Sequence, residues 1–317
     1  MKKFVLNEIQ NCRVLVIGDA MLDKYYFGEV TRISPEAPVP INHVTKIKET
    51  LGGAANVAHN LALLGCQTFL IAHIGNDIHG ETLSKKLIAR GIDISGAVRT
   101  SQPTTTKIRV IGGAQQMLRL DFEDIADIDE KIFLPNIAVR IPDIDAVIIS
   151  DYGKGVCTEN LCREIISLCR LQNKIVVVDP KGSDWQKYSG ANFITPNLKE
   201  LNAVLPKKIA NVDAEIESAS RMIIEKFNLQ GLLVTRSAAG LTLIDKKISH
   251  IKAKAQEVFD VSGAGDTVIA VFTLGLAGKL SSETAAYLAN VAAGVVVAKV
   301  GTYAVSREEL LERIDSL

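Results

Sequence analysis

Short apolar runs that end abruptly in polar residues recur along the 317-residue chain, and they restrict its fold more than any other feature. One run covers residues 13–18 and is followed by Asp19, and another covers residues 146–150 and is followed by Asp151. Strands that are apolar on both faces are typical of parallel sheets with helices on both sides. Because segments of helical length separate the runs, the sequence predicts one doubly wound α/β domain over residues 1–317, with a mostly parallel sheet.

Polar side chains follow four of these runs at the predicted strand ends. The carboxyl ends of parallel strands share one edge of the sheet, and ligands bind in the crevice outside that edge. The sequence therefore predicts a single crevice to which the following residues converge: Asp151, Lys154, Asp179, Lys181, Asn197, Glu200, Thr235 and Arg236.

Two segments, at about 24–45 and 104–121, interrupt the alternation of strands and helices. Their alternating pattern and their prolines or glycines are typical of extended strands at a sheet edge. We expect them to form a small β lid inserted in the single domain, and a homodimer contact through that lid. Lys107 and Arg109 project from one strand face, which favours phosphate binding, with a merely solvated face as the alternative.

Residues 260–267 combine Asp260 and Asp266 with Gly263 and Gly265, directly before a long apolar segment. A glycine-rich turn that opens a buried helix directs unpaired N–H groups and the positive end of the helix dipole at one point, which favours phosphate. A carboxylate there suits a general base that takes a proton from a hydroxyl group. An ordinary helix N-cap is the alternative interpretation of Asp266.

A second glycine pair, Gly52 and Gly53, precedes a predicted helix that carries Asn56 and Asn60 on one face. Buried asparagines are costly unless they are hydrogen-bonded, and they can bond sugar hydroxyls. Internal hydrogen bonds to neighbouring loops are the alternative. Asn290, in a later helix of small residues, is a candidate for an adenine pocket or for a core hydrogen bond.

Composition argues against several classes of function. Lys plus Arg and Asp plus Glu number 36 each, so the chain lacks the electrostatic footprint of a nucleic-acid or membrane binder. The five cysteines have no paired C-x-x-C spacing and are predicted to be reduced structural thiols. The first residues turn polar too early for a signal peptide, and no apolar run has the length of a membrane span. We therefore expect a cytoplasmic protein with no nucleic-acid or membrane partner.

Over nearly its whole length the chain resembles the ribokinase-like (PfkB) carbohydrate kinases. The resemblance rests on residues 52–56, Gly-Gly-Ala-Ala-Asn, and residues 260–266, Asp-Val-Ser-Gly-Ala-Gly-Asp, which match the two signatures of that family in the right order. Segments 18–23, 32–40 and 151–155 are similar to the heptose 7-phosphate kinase branch. The GxxxxGK[ST] loop of P-loop kinases does not occur in the sequence.

The resemblance implies an ATP- and Mg²⁺-dependent kinase, with a monovalent cation as a further candidate. The implied reaction is phosphorylation of D-glycero-β-D-manno-heptose 7-phosphate at the anomeric O1, for ADP-heptose and lipopolysaccharide synthesis. Another ribokinase-like sugar or nucleoside kinase is the alternative. In many bacteria this kinase is the first half of a bifunctional chain, and the sequence has no His-x-Gly-His motif of the adenylyltransferase half. We expect a stand-alone kinase or an excised kinase half.

Residue roles follow from the same resemblance, position by position. Asp266 is the expected base, and the backbone of Gly263, Ala264 and Gly265 is the expected anion hole. From its position at the start of the turn, Asp260 is expected to shape the loop or to bind a cation. The expected nucleotide contacts are Asn197, Glu200, Thr235, Arg236 and Asn290, with Glu200 holding Mg²⁺ through water. The expected contacts to the sugar and to phosphate are Asp19, Asp23, Gly53, Asn56, Asn60, Lys107, Arg109, Asp151, Lys154 and Lys181.

Overall fold

The computed structural model of the protein describes residues 1–254, 258–299 and 301–316. Its strands form a large central sheet and a smaller outer sheet, with one short strand pair beside them. The strands are β1 (Arg13–Gly18), β2 (Ala20–Ile33), β3 (Pro40–Gly53), β4 (Gln67–Ile71), β5 (His73–Gly75), β6 (Val98–Thr100), β7 (Thr106–Gly112), β8 (Gln115–Phe122), β9 (Ala146–Ser150), β10 (Ile175–Asp179), β11 (Phe193–Ile194), β12 (Gly231–Thr235), β13 (Leu241–Ile244) and β14 (Ile248–Ile251).

Helices connect most of the strands. They are α1 (Lys2–Asn7), α2 (Ala54–Leu63), α3 (Ile78–Ile88), α4 (Glu130–Arg140), α5 (Glu159–Leu171), α6 (Leu198–Val204), α7 (Asp213–Lys226), α8 (Ala264–Ala277), α9 (Ser282–Val296) and α10 (Arg307–Asp315). In the part of the chain that the structure describes, every helix is too short or too polar to cross a membrane.

The central sheet has eight strands in the order β14-β13-β12-β11-β10-β9-β1-β4. The six strands from β12 to β4 are parallel, and β13 and β14 add an antiparallel edge. The predicted doubly wound α/β fold with a mostly parallel sheet is confirmed. The carboxyl ends of the parallel strands form one edge, as the position of the polar residues in the sequence requires.

Alternate side chains of each central strand enter two different apolar cores. In β1, Val14 and Val16 pack with helices α2, α8 and α9 on one face, whereas Leu15 and Ile17 pack with α4, α5 and α7 on the other. This alternation follows from the two-residue period of a strand and accounts for the absence of polar residues within these runs. The five cysteines are free and buried, as predicted.

The outer sheet has the strand order β3-β2-β7-β8. Strands β2 and β3 are 14 residues long and antiparallel, and β7 runs parallel to β2 and antiparallel to β8. The first pair in the β2–β3 ladder joins Ala20 to Gly53, next to the end of β1. The outer sheet is therefore rooted at the same edge of the central sheet as the polar strand ends.

Candidate active site

A cavity opens at the carboxyl edge of the central sheet. It brings together six of the residues that the sequence placed in one crevice, namely Asp151, Asp179, Lys181, Asn197, Glu200 and Thr235. The complete set of lining residues is Asp151, Tyr152, Asp179, Pro180, Lys181, Thr195, Asn197, Glu200, Thr235 and Gly265.

Asp266 lies beside this cavity in the first turn of α8, and its side chain is only 5% exposed. Asn56 Nδ2 donates to Oδ2 of Asp266 at 2.6 Å, and the Tyr152 hydroxyl donates to Oδ1 at 2.5 Å. Burial raises the pKa of Asp266 to about 6; the charge of Asp23 adds to the rise, and the two hydrogen bonds oppose it. The N-cap residue of α8 is Gly263, so the alternative interpretation of Asp266 as an N-cap is wrong.

The first turn of α8 presents backbone N–H groups to the cavity. Within residues 1–254, 258–299 and 301–316, the N–H groups of Gly265 and Asp266 have no acceptor. The N–H of Ala264 donates to the carbonyl of Val261 at 3.2 Å, so this amide is not free for the predicted anion hole. Gly263 turns the chain into the helix with a φ of +79°, a conformation that favours glycine.

Asn197 and Glu200 form a capping box at the start of α6. The Asn197 side chain accepts from the N–H of Glu200, and the Glu200 carboxylate accepts from the N–H of Asn197, both at 2.9 Å. One carboxylate oxygen of Glu200 is thereby used, and the other remains for a ligand in the cavity. The capping box fixes Glu200 at the cavity wall and uses only one of its two carboxylate oxygens.

Carboxylates concentrate where the cavity meets the strand ends. Burial raises the pKa of Asp179 well above its ordinary value, and the charges of Asp266, Glu200 and Asp151 raise it further. Burial also raises the pKa of Glu200. Carboxylate oxygens are the ligands that Mg²⁺ prefers, and a divalent cation would relieve this repulsion, so Asp179 and Glu200 fit a magnesium site.

Asp19, a predicted contact to sugar, accepts three backbone hydrogen bonds. Its carboxylate accepts backbone N–H groups of Tyr152, Lys154 and Val156 at 2.8–3.0 Å and is 2% exposed. The tight turn after β9 leaves these amides without backbone partners, and a buried amide is costly unless it is paired. Asp19 therefore holds the loop 151–156 in place, and its contact to sugar stays a prediction.

Asp151 is also committed to protein partners, although it lines the cavity. Oδ1 accepts from the N–H of Gly153 at 2.7 Å, and Oδ2 accepts from Lys187 Nζ at 2.5 Å and from the Tyr188 hydroxyl at 2.6 Å. Asp19, Asp151 and Cys157 each have one potential metal-ligand atom, and these atoms lie within 4.8 Å of one another. Because N–H, ammonium and hydroxyl donors already satisfy both carboxylates, this cluster organises the loop and does not suit a metal ion.

The two predicted asparagines of α2 differ in function. Asn56 contacts Asp266 directly. Asn60 is fully buried, donates to the carbonyl of Asn56 at 2.9 Å and accepts from the Thr267 hydroxyl at 3.0 Å. Asn60 thus forms the internal hydrogen bonds that were the alternative to sugar binding, and it stabilises α2 against α8.

Arg236 and Asn290, both predicted nucleotide contacts, do not line the cavity. The Arg236 guanidinium is 5% exposed and donates to Asn211 at 2.7 Å, Asp213 at 2.5 Å and Thr242 at 2.9 Å. Asn290 donates to the carbonyl of Lys252 at 2.8 Å. Both side chains are thus used within the protein, and their contact to a nucleotide stays a prediction.

Three of the four predicted phosphate-binding cations form ion pairs. Arg109 contacts Asp23 at 2.6 Å, Lys154 contacts Glu123 at 2.7 Å, and Lys107 is 3.5 Å from the same glutamate. Lys181 lines the cavity and has no ion-pair partner in the described part of the chain. Lys181 is therefore the cation most available to a phosphate in the cavity.

Both oxygens of Asp260 accept backbone N–H groups, from Ser262 and from Gly301, at 2.9 Å. Asp260 thus shapes the loop before α8, which was one of its two predicted roles. Sequence reasoning missed Tyr152, Lys187 and Glu123. Only Tyr152 carried a signal, because it lies inside the segment 151–155 that resembled the kinase family.

A family model described as pfkB family carbohydrate kinase matches residues 12–309. The chain is 45% identical over 316 residues to bifunctional protein HldE of Desulfatibacillum aliphaticivorans, and the match covers 97% of this chain and 64% of that protein. Bifunctional protein HldE of Haemophilus influenzae is 45% identical over 306 residues, with 96% and 63% covered. The chain thus spans less than two thirds of the length of either relative.

Two solved structures show the same fold at lower identity. Phosphofructokinase-2 from Escherichia coli in complex with potassium has a TM-score of 0.80 and 20% identity, and the match covers 96% of this chain and 99% of that one. Ribokinase from Arabidopsis thaliana complexed with ribose and ATP has a TM-score of 0.76 and 18% identity, with 96% and 98% covered.

Proposed function

Because the chain belongs to the pfkB family of carbohydrate kinases, which are ATP-dependent, we propose that it phosphorylates D-glycero-β-D-manno-heptose 7-phosphate at the anomeric O1. The product is the 1,7-bisphosphate, on the route to ADP-heptose and the lipopolysaccharide core. Segments 18–23, 32–40 and 151–155, which resemble the heptose 7-phosphate kinase branch, support this substrate. The identity of 45% to bifunctional protein HldE supports it as well.

The observation that carries the proposal is the position of Asp266 at the open first turn of α8. In the proposed reaction its carboxylate accepts the proton of the sugar O1 hydroxyl. The O1 oxygen then bonds to the γ-phosphorus of ATP, and the bond from that phosphorus to the β–γ bridging oxygen breaks and releases ADP. With a pKa of about 6, Asp266 is ionised at neutral pH and more basic than an ordinary aspartate.

The surroundings of Asp266 match the electrostatic demand of phosphoryl transfer. Negative charge spreads over the transferring phosphoryl oxygens, and catalysis consists mainly of positioning and charge stabilisation. The N–H groups of Gly265 and Asp266 and the Lys181 ammonium supply positive potential on one side of the cavity. Asp179 and Glu200 would hold Mg²⁺, which neutralises phosphate charge when it is bound.

The 7-phosphate of the sugar is assigned to Lys107, Arg109 and Lys154, at the root of the outer sheet. Each of these cations is paired with a carboxylate in the structure. A dianionic phosphate forms stronger charge-assisted hydrogen bonds than a single carboxylate, so it can compete for the same donors. Lys181 is assigned to ATP because it lines the same cavity as Glu200 and Thr235.

A monovalent cation and a homodimer are further parts of the proposal. The potassium ion in the E. coli phosphofructokinase-2 structure supports the cation. Several large apolar side chains exposed on the outer sheet support a second copy of the chain as its partner. These residues are Val30, Ile33, Val44, Ile47, Met117, Leu118, Leu120 and Phe122.

The substrate is tested by comparing kcat/KM for mannoheptose 7-phosphate with that for ribose and fructose 6-phosphate, with ³¹P NMR identifying the product. We expect mannoheptose 7-phosphate to be used with the highest kcat/KM and to give a 1,7-bisphosphate. If ribose or fructose 6-phosphate reacts faster, the alternative of another ribokinase-like kinase is correct.

The role of Asp266 is tested with Asp266→Asn. Loss of a general base typically lowers the rate by about 10²–10⁴-fold. We expect a loss in this range in kcat, with ATP binding measured by calorimetry retained. A rate close to that of the wild type would exclude Asp266 as the base.

A further inference from the structure

Tyr152 lies in the loop 151–156, at the wall of the cavity, and its hydroxyl donates to Oδ1 of Asp266 at 2.5 Å. Asn56, from α2, donates to the other oxygen at 2.6 Å. Two donors from separate elements thus fix both ends of one carboxylate. From this geometry we infer that Tyr152 is a positioning residue, which orients Asp266 and stabilises its ionised form before the sugar hydroxyl arrives. The inference rests on the proposed role of Asp266 as the base.

The backbone and the ring of Tyr152 are both held in place by neighbouring residues. The backbone N–H of Tyr152 donates to Asp19 at 2.8 Å, so the buried carboxylate of Asp19 anchors the residue directly. The ring lies next to Gly53, where an added Cβ would be 3.5 Å from Cδ2 of Tyr152. A group that is ordered in advance loses little entropy when it acts, which is the requirement for a positioning residue.

The charges around the pair explain why a neutral donor suits this position. The charge of Asp23 on β2 acts on Asp266, and the charges of Asp179 and Glu200 act on Tyr152. Arg109 neutralises Asp23, and Lys181 acts on Asp179. Burial and the charges of Asp266 and Asp179 raise the pKa of Tyr152, so its hydroxyl stays protonated and remains a donor. A cationic donor here would make Asp266 a much weaker base, whereas a phenol lowers its basicity only moderately.

Tyr152→Phe removes this one hydroxyl and keeps the ring. A hydrogen bond to a charged group contributes about 1.5–3 kcal/mol. If the transition state loses this contribution, kcat/KM for the sugar should fall by about 10-fold or more. KM for ATP should stay within about 2-fold of the wild-type value, since the hydroxyl contacts the base and not the nucleotide side. The acid limb of the pH profile of kcat/KM should move to higher pH, because the ionised form of Asp266 loses a donor.

Tyr303→Phe is the matched control. It removes a hydrogen bond of the same type, from the Tyr303 hydroxyl to Glu309 at 2.9 Å, away from the cavity. Its rate and pH profile should match those of the wild type. A Tyr152→Phe enzyme with the wild-type kcat/KM and an unmoved acid limb would refute the inference.

Measuring Asp266→Asn in the same assay separates the two ideas. An inactive Asp266→Asn together with a fully active Tyr152→Phe leaves the base assigned and removes only the role of Tyr152. An active Asp266→Asn removes the base itself. If Tyr152→Phe does not fold, a fluorinated tyrosine at position 152 keeps the hydroxyl as a stronger donor. The acid limb should then move to lower pH, and an unmoved limb contradicts the inference.

Discussion

Asp266 places a negative charge where burial disfavours it, and this has a consequence for stability. Its pKa of about 6 in the folded protein exceeds the ordinary value of 3.8. The folded state therefore binds the proton more tightly than the unfolded state does. The resulting stabilisation is present below about pH 4 and is lost as the pH rises through about 6.

Asp266→Asn should therefore be more stable than the wild type at pH 7, by up to about 3 kcal/mol, because the variant carries no buried charge. Its side-chain oxygen can still accept from Asn56, and its amide can donate to the Tyr152 oxygen. The gain should appear between about pH 4 and pH 7 in urea unfolding measured across that range. A difference in the free energy of unfolding that does not vary with pH would contradict the prediction.

Asp260, in the same segment, is a control, because its effect on stability at pH 7 should be opposite to that of Asp266. The hydrogen bonds from the backbone N–H groups of Ser262 and Gly301 overcome the effect of burial and lower the pKa of Asp260. The stability that Asp260 contributes is present above its unfolded pKa and is lost as the pH falls through its folded pKa. Asp260→Asn should accordingly destabilise the protein at pH 7, where Asp266→Asn stabilises it.

At the scale of elements, the backbone has different requirements at two glycines near the cavity. Gly265 is in the first turn of α8, where an added Cβ would meet no heavy atom within 4 Å. Gly53, between β3 and α2, has a φ of +55°, and an added Cβ would lie 2.4 Å from the carbonyl oxygen of Asp19. The space next to Gly265 is free for a ligand, whereas the space next to Gly53 is filled by protein atoms.

Gly265→Ala should fold with unchanged or slightly higher stability, since alanine favours helices by about 0.5–1 kcal/mol over glycine. Its methyl group would nevertheless occupy space at the cavity, so we expect kcat/KM for ATP to fall by about 10-fold or more. Gly53→Ala should instead lower the melting temperature. Thermal unfolding and steady-state kinetics on both variants distinguish these effects. Full activity of Gly265→Ala would mean that ATP does not approach the first turn of α8.

The central strands and helices were predictable because they depend on local sequence patterns. Several side-chain roles were not predictable, because they depend on contacts between distant parts of the chain. The apolar runs located the central strands, and the rule for strand ends gathered Lys181, Asn197 and Glu200 at one cavity. The structural role of Asp19 could not be predicted, because its amide partners are 133–137 residues away in sequence. The hydrogen bonds of Asn60 were unpredictable for the same reason, since the Thr267 hydroxyl that it accepts from comes from another helix. A sequence offers many partners to a polar residue, and the tertiary fold selects one.

At the scale of the whole molecule, the outer sheet carries a group of exposed large apolar side chains. Strand β8 is exposed along all eight of its residues, including four large apolar ones. Exposed large apolar side chains grouped on one strand are typical of a protein interface. The proposed homodimer would cover it with the same sheet of a second copy.

Ile47→Lys should dissociate this dimer, because Ile47 is 59% exposed on the outer sheet and a lysine would place a charge in the interface. Analytical ultracentrifugation over a range of concentrations measures the change. Leu171→Lys is the control, since Leu171 is 78% exposed at the end of α5, in the other sheet's helical layer. A wild-type protein that is monomeric at all concentrations would exclude the dimer.

The contact between Asn56 and Asp266 joins residues that are 210 positions apart. During synthesis at about 5–20 residues per second, about 10–40 s pass between the appearance of one partner and the other. For that interval α2 has neither α8 to pack against nor the carboxylate that its asparagine binds. Contacts of such long range also slow folding after synthesis. Recovery of kinase activity should accordingly be among the last signals to return when the chain refolds, later than the helical signal in circular dichroism.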